Sequence, residues 1–102
     1  MIRHTAVFRL KHKARSPAEE NFLEALAQLQ SIPGVEQFEI MRQVSPKCEF
    51  DFGVAMVFKD QAAYTHYNEH PAHTAFVQTR WLPEVAAFTE IDYVPLERFD
   101  VS

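Results

Sequence analysis

Strand-like and helix-like hydrophobic periods succeed one another along this chain in the order β-α-β-β-α-β. That order predicts an α+β fold, with one antiparallel sheet carrying its helices on a single face. A second observation points the same way. The third strand-like segment, residues 50–59, is apolar on both sides, as suits a central strand covered twice. At 102 residues there is room for one domain, 1–102, around one core.

The first element, Ile2–Leu10, alternates, with Ile2, His4, Ala6, Phe8 and Leu10 on one face and Arg3, Thr5, Val7 and Arg9 on the other. Ser16-Pro17-Ala18-Glu19 then opens a helix: Ser16 can cap free N–H groups, Pro17 suits the first helical position, and Glu19 completes a capping box. Phe22, Leu23, Leu26 and Leu29 give that helix an apolar stripe, and Pro33-Gly34 stops it. Residues 35–44 read as the second strand, with Phe38, Ile40, Arg42 and Val44 opposed to Gln37, Glu39 and Gln43; Ser45-Pro46-Lys47 is turn material.

In the third strand Phe50, Phe52, Val54, Met56 and Phe58 share a face, while Ala55 and Val57 keep the other apolar. Gly53 suggests a bulge or a close backbone approach there. A short helix over Gln61–Glu69 restarts at His70-Pro71 and runs to about residue 82, where Pro83 bends or restarts it. Residues 88–96 form the last strand, and 97–102 a short tail. Right-handed crossovers then give a ferredoxin-like plait with both helices on one face. The other sheet face keeps Val7, Ala55 and Val57 as apolar surface, which predicts a homodimer closed sheet to sheet.

Composition narrows the function classes. Hydrophobic residues make up 47%, with nine Phe, so a packed core is expected. A net charge of −4 argues against a nucleic-acid or anionic-membrane partner. The one basic cluster, Lys11-His12-Lys13 with Arg15, falls in the loop after the first strand and reads as a solvated loop. A lone Cys48 excludes an internal disulfide and fits a reducing compartment. No apolar run approaches the ~20 residues of a membrane span, and the N-terminus enters a strand without a signal-peptide pattern. A cytoplasmic location is therefore expected.

The opening Ile2-Arg3-His4-Thr5-Ala6-Val7-Phe8-Arg9-Leu10, the Ile32-Pro33-Gly34-Val35 junction and the run Tyr67-Asn68-Glu69-His70-Pro71-Ala72-His73 resemble the stress-responsive dimeric α/β-barrel (Dabb) family. Trp81-Leu82-Pro83 and the closing Asp92-Tyr93 resemble its pattern too. The likeness runs from the first strand to the last, and the His-Pro-Ala-His run after a Tyr is its most specific piece. It implies a dimer of plaits whose two sheets form a barrel with the helices outside. For chemistry it implies less. One plant member is a polyketide cyclase that closes a ring by aldol condensation without metal or cofactor, and bacterial relatives include cofactor-independent monooxygenases of the antibiotic-biosynthesis type.

Matched by motif to the cyclase pocket, the candidate catalytic residues are His4, Tyr67 and His73. Strand parity aims His4 toward the helices, and His70 and His73, three apart at a helix start, can share a face. A histidine suits proton abstraction next to a carbonyl, and a Tyr hydroxyl can hold the oxygen. The expected ligand-binding set is Phe8, Phe22, Ala25, Leu26, His70, Phe76 and Glu90. Ala25 stands where the cyclase has a helix-one Tyr, so the same substrate is not expected. Glu90 shares parity with Phe88 and is expected on the side of His4.

Plainer readings stand beside these: His73 and Tyr67 as core residues, His70 as a cap, and Phe8, Phe22, Phe76 and Trp81 as core aromatics. No third ligand accompanies His70 and His73 at a metal-binding spacing, and no base is placed beside Cys48. Neither metal nor cofactor is expected. The leading function is a pocket in each protomer for a small apolar, aromatic or ketonic molecule. One alternative is a cofactor-independent cyclase, isomerase or lyase with His73 as base and Tyr67 and His4 holding oxygen. The other is a non-enzymatic, stress-related assembly module. A cavity of ~300 Å³ or more beside His4 and His73 would separate the ligand readings from the last.

Overall fold

A computed structural model describes residues 1–99. Strands β1 (Ile2–Leu10), β2 (Glu36–Arg42), β3 (Phe52–Phe58) and β4 (Val85–Tyr93) form one antiparallel sheet in the order β2-β3-β1-β4. Helices α1 (Pro17–Ala27), α2 (Gln61–Glu69) and α3 (Pro71–Phe76) cover one face of it. This is the ferredoxin-like α+β plait that the periodicities predict.

Register explains the core. Ala6 stands opposite Val54 and Phe8 opposite Phe52, so the even-numbered residues of β1 and β3 meet on the helix side. Phe8, Phe22, Leu26, Met56 and Phe58 are fully enclosed there. Local chemistry sets the helix ends. Ser16 Oγ accepts from the Glu19 N–H at 3.2 Å, Pro17 takes the first turn, and buried Glu19 accepts from the Arg15 N–H at 3.3 Å. After α1 a tighter 3₁₀ turn, Gln28–Ser31, leads to Gly34, whose φ of 94° needs a residue without Cβ strain. Asp60 caps α2 by accepting from the Ala63 N–H at 2.9 Å.

Several boundaries depart from expectation for physical reasons. β2 is shorter than residues 35–44, and within it Gln37 at φ 49° accompanies a register shift between Glu36 and Glu39. At its other end Val44 lies outside the strand, exposed, in a loop tied by the Gln43 amide to the Phe50 carbonyl at 2.7 Å. Gly53 carries no bulge: it pairs in regular register with Val7 and Met41, and a Cβ there would meet only ordinary contacts of 3.8–3.9 Å. α3 opens into a wider π turn, Val77–Trp81, in which the Leu82 N–H reaches back five residues to the Val77 carbonyl. A three-residue helix, α4 (Leu82–Glu84), follows with Pro83, which cannot donate to a regular helical ladder. β4 therefore starts at Val85 rather than residue 88. Of the expected tail, Glu97–Phe99 is a 3₁₀ turn, and residues 100–102 lie outside the described residues.

On the open face of the sheet, Val7, Ala55 and Val57 occur together by register. Ala55 and Val57 are nonetheless only 8% and 5% exposed, because flanking strands close over a central one. The apolar surface left open lies at the margins, on Met41, Ile91 and Tyr93. Among the described residues no helix is long and apolar enough to cross a membrane.

Candidate functional site

A cavity of about 270 Å³ lies between the helix side of the sheet and the covering helices. β1 contributes His4 and Ala6, β3 Val54 and Met56, β4 Phe88 and Glu90, and α1 Leu26. Tyr67 comes from α2, His73 and Phe76 from α3, and Val77, Trp81 and Leu82 from the stretch that follows. Four polar side chains, His4, Tyr67, His73 and Glu90, share this otherwise apolar space. Leu82 and Phe88 are 55% and 47% exposed although both line the cavity, which marks its mouth. The volume falls a little short of the ~300 Å³ set out above, the size at which drug-sized pockets begin.

The junction of α2 and α3 places the polar groups. His70 ends α2 in an extended conformation, Pro71 starts α3, and the His70 Nδ1 accepts from the Ala72 N–H at 3.0 Å. This break leaves the Asn68 carbonyl without a helical donor, and the His73 Nδ1–H donates to it at 3.1 Å. A carbonyl can only accept, so His73 carries its proton on Nδ1 and keeps Nε2 as an acceptor. Its ring packs 4.4 Å from that of Tyr67. Burial, chiefly, holds the His73 pKa below the ordinary histidine value, against the opposing pull of the Asn68 carbonyl. Tyr67 is buried, and burial, followed by the charge of Glu90, pushes its phenol well above the usual range. Tyr67 is thus a stable O–H donor.

His4 sits in a second hydrogen-bonded group. Its cross-strand partner is Asp92, and Asp92 Oδ1 lies 2.6 Å from His4 Nδ1. The Tyr64 hydroxyl donates to Asp92 Oδ2 at 2.8 Å and lies 2.9 Å from the same Nδ1. Burial first, then the hydrogen bond to Asp92, raises the Tyr64 pKa, so this phenol also keeps its proton. Tyr64 and Asp92 are absent from the sequence-based candidates. Two signals could have found them: Tyr64 precedes Tyr67 by one helical turn, and Asp92 has the parity of Glu90.

Of the sequence-based set, the cavity brings together His4, Tyr67, His73, Leu26, Phe76 and Glu90. It does not include Phe8, Phe22, Ala25 or His70. Phe8 and Phe22 are wholly enclosed in an aromatic cluster with Trp81, at 5.0 Å and 6.2 Å respectively. Ala25 is half-buried on the flank of α1, because Leu26 and Leu29 take its inward face. His70 is consumed by the helix junction, with its ring against His66.

The outer wall is braced from outside: Arg80 Nε lies 2.5 Å from Glu84 Oε2, His12 Nε2 2.6 Å from Glu84 Oε1, and Arg80 donates to Asn21 Oδ1 at 2.7 Å. Among the described residues no three His, Cys, Asp or Glu side chains are arranged to hold a metal ion.

Three solved structures are similar to this chain. A protein of Mesorhizobium loti MAFF303099, described as a Dabb family protein with a ferredoxin-like fold, is 58% identical, with a TM-score of 0.91 over 93% of this chain and 96% of that one. A dimeric ferredoxin-like protein of unknown function from Thermobifida fusca is 24% identical, with a TM-score of 0.74 over 92% and 90% of the two chains. The hydroxynitrile lyase of Passiflora edulis is 17% identical, with a TM-score of 0.84 over 97% and 96%. The last two show the fold alone. No curated protein matches the chain. The model of the stress responsive A/B barrel domain matches residues 2–95, and the chain belongs to that family, Dabb.

Proposed function

We propose that this protein binds a small, largely apolar molecule in the cavity, with a carbonyl or hydroxyl group turned to the polar end. The observation that carries this reading is the meeting of Tyr67, His73, His4 and Glu90 at an otherwise hydrocarbon-lined space with an open, apolar mouth. Tyr67 offers one O–H to a ligand oxygen, and His73 offers an acceptor nitrogen. Binding of simple aryl ketones, acetophenone and 4-phenyl-2-butanone, followed by chemical-shift perturbation, tests it. Perturbations confined to cavity residues, and lost in Ala6→Leu, are expected; no perturbation at millimolar ketone overturns the reading.

A second reading builds on the first: cofactor-independent proton transfer at the carbon next to the carbonyl. It is favoured by His73, a neutral imidazole with Nε2 free to accept, beside a Tyr67 hydroxyl able to hold the oxygen that gains charge. Exchange of the ketone's α-protons for deuterium in D₂O measures it directly.

The protein acts as a homodimer in this proposal, joined through the open sheet face. The open apolar side chains Met41, Ile91 and Tyr93 support that, as do solved relatives described as dimeric. Sedimentation at micromolar concentration should give twice the chain mass.

A further inference from the structure

Neither Tyr64 nor Asp92 lines the cavity, yet both touch a ring that does. Building on the proton-transfer reading above, we infer that Tyr64 and Asp92 are positioning residues: they hold His4 with its proton on Nδ1 and leave its Nε2 to the cavity. His4 is then a second proton acceptor beside His73.

The argument is one of donors and acceptors. An ionised carboxylate can only accept, so at 2.6 Å from Asp92 Oδ1 the Nδ1 of His4 must be the donor. Tyr64 has a single proton, and it goes to Asp92 Oδ2. The Tyr64 oxygen, 2.9 Å from Nδ1, is then a second acceptor for the same N–H. The triangle closes with every proton assigned. Tyr64 is itself fixed, its ring stacked on Phe58 at 4.9 Å and 10°. Among the described residues Nε2 of His4 has no hydrogen-bond partner, and it is not sealed in the core. The titratable groups around this imidazole are Asp92 and Tyr64 at its Nδ1, and Tyr67, His73 and Glu90 along the cavity.

The step balances without a further reactant. A proton leaves the carbon next to the carbonyl for Nε2. The C–H electron pair becomes the new carbon–carbon π bond, and the carbonyl π pair moves to oxygen, which the Tyr67 hydroxyl holds. Asp92 stabilises the imidazolium so formed, and return of the proton restores the neutral ring.

The test is the tautomer of His4 in full-length protein carrying ¹⁵N-labelled histidine, at about pH 9, above the ordinary histidine value of ~6.5. Expected are a protonated Nδ1 and a bare Nε2 in the wild type, a shift toward Nε2–H in Asp92→Ala, and faster exchange of the Nδ1 proton in Tyr64→Phe. A wild-type Nε2–H, or His4 signals unmoved by both variants, overturns the clamp.

Deuterium exchange supplies the second readout. His73→Ala should retain part of the wild-type rate, and adding Asp92→Ala should remove a further ~10- to 100-fold in kcat with little change in KM. No further loss overturns the acceptor role of His4. Absence of exchange in the wild type overturns the proton-transfer reading, and with it the acceptor role, while the imidazole spectrum still judges the clamp on its own.

Discussion

The helix side of the sheet has two ends built from the same strands and finished differently. At one, Phe8, Phe22, Phe52, Phe76 and Trp81 interlock with ring centroids 5.0 to 6.5 Å apart, and Phe8 and Phe22 are fully enclosed. At the other, four residues earlier along β1, His4 faces Tyr67 and His73 across a cavity. The difference is one of cover. Helix α1 fills the first end with Phe22 and gives the second only Leu26, whereas most of the helical lining of the second comes from Tyr67, His73 and the widened turn after α3. Filling gives stability at the first end; at the second, polar side chains line an unfilled volume.

Phe8 and Phe88 give the sharpest comparison, because they are direct cross-strand partners. Phe8 is 0% exposed, and Phe8→Ala should cost about 3–5 kcal/mol in urea denaturation, the usual loss for an enclosed aromatic. Phe88→Ala, at the cavity mouth, should cost less than ~1 kcal/mol and instead change ketone affinity. Equal losses at the two positions would mean that the mouth is as well packed as the core.

The open sheet face supplies the next largest effect. Ala55→Asp places a carboxylate between Thr5 and Glu39 with no cation beside it in register, and should lower stability by about 3 kcal/mol or more. Val57→Asp sits beside Arg3, which can pair with it, so its loss should be smaller. Both should shift sedimentation toward monomer. The reverse order would show that the dimer contact, rather than the neighbours in the sheet, sets the cost. Ser16→Ala should be milder, about 1 kcal/mol, since it removes one side-chain cap from α1.

How much of this could be read from residues alone depends on the range of the interaction. Period-two and helical patterns are local, so β1, α1 with its Ser16-Pro17-Glu19 start, and the central β3 are legible before any coordinates. The bulge at Gln37 is not, because nothing in Glu36-Gln37-Phe38 marks a left-handed backbone; it shows only in the pairing with β3. The π turn is likewise hidden in an ordinary helical stretch before Pro83. In the candidate site, parity suffices for His4 and Glu90. Tyr64 and Asp92 carry the same local signals of helical spacing and strand parity, but their link to His4 spans 60 and 88 residues and is not written locally. Phe8 and Phe22 show the opposite error: apolar and on the correct face, they belong to the filled end, and which aromatics a cavity spares is decided by helix packing.

The smallest expected effect separates the ends by pH. Burial disfavours the charged His73 ring, so its pKa in the folded protein lies below that of the unfolded chain, ordinarily ~6.5. As pH falls through that value the unfolded chain takes up a proton that the folded site refuses. Unfolding is therefore favoured progressively from near neutrality downward, until the folded ring itself is protonated, below which the slope from this residue vanishes. His73→Asn has nothing to titrate and can still donate to the Asn68 carbonyl. Its stability should decline less steeply than wild type between about pH 7 and 5, with the curves converging at the acid end apart from a constant offset. A ketone that binds only beside the neutral ring should steepen the wild-type decline, because acid then removes the ligand's contribution as well. Parallel urea-derived stability curves for wild type and His73→Asn would show that the ring is not held neutral by its surroundings. The polar end would then be merely solvated surface, and the contrast with the aromatic end would rest on volume alone.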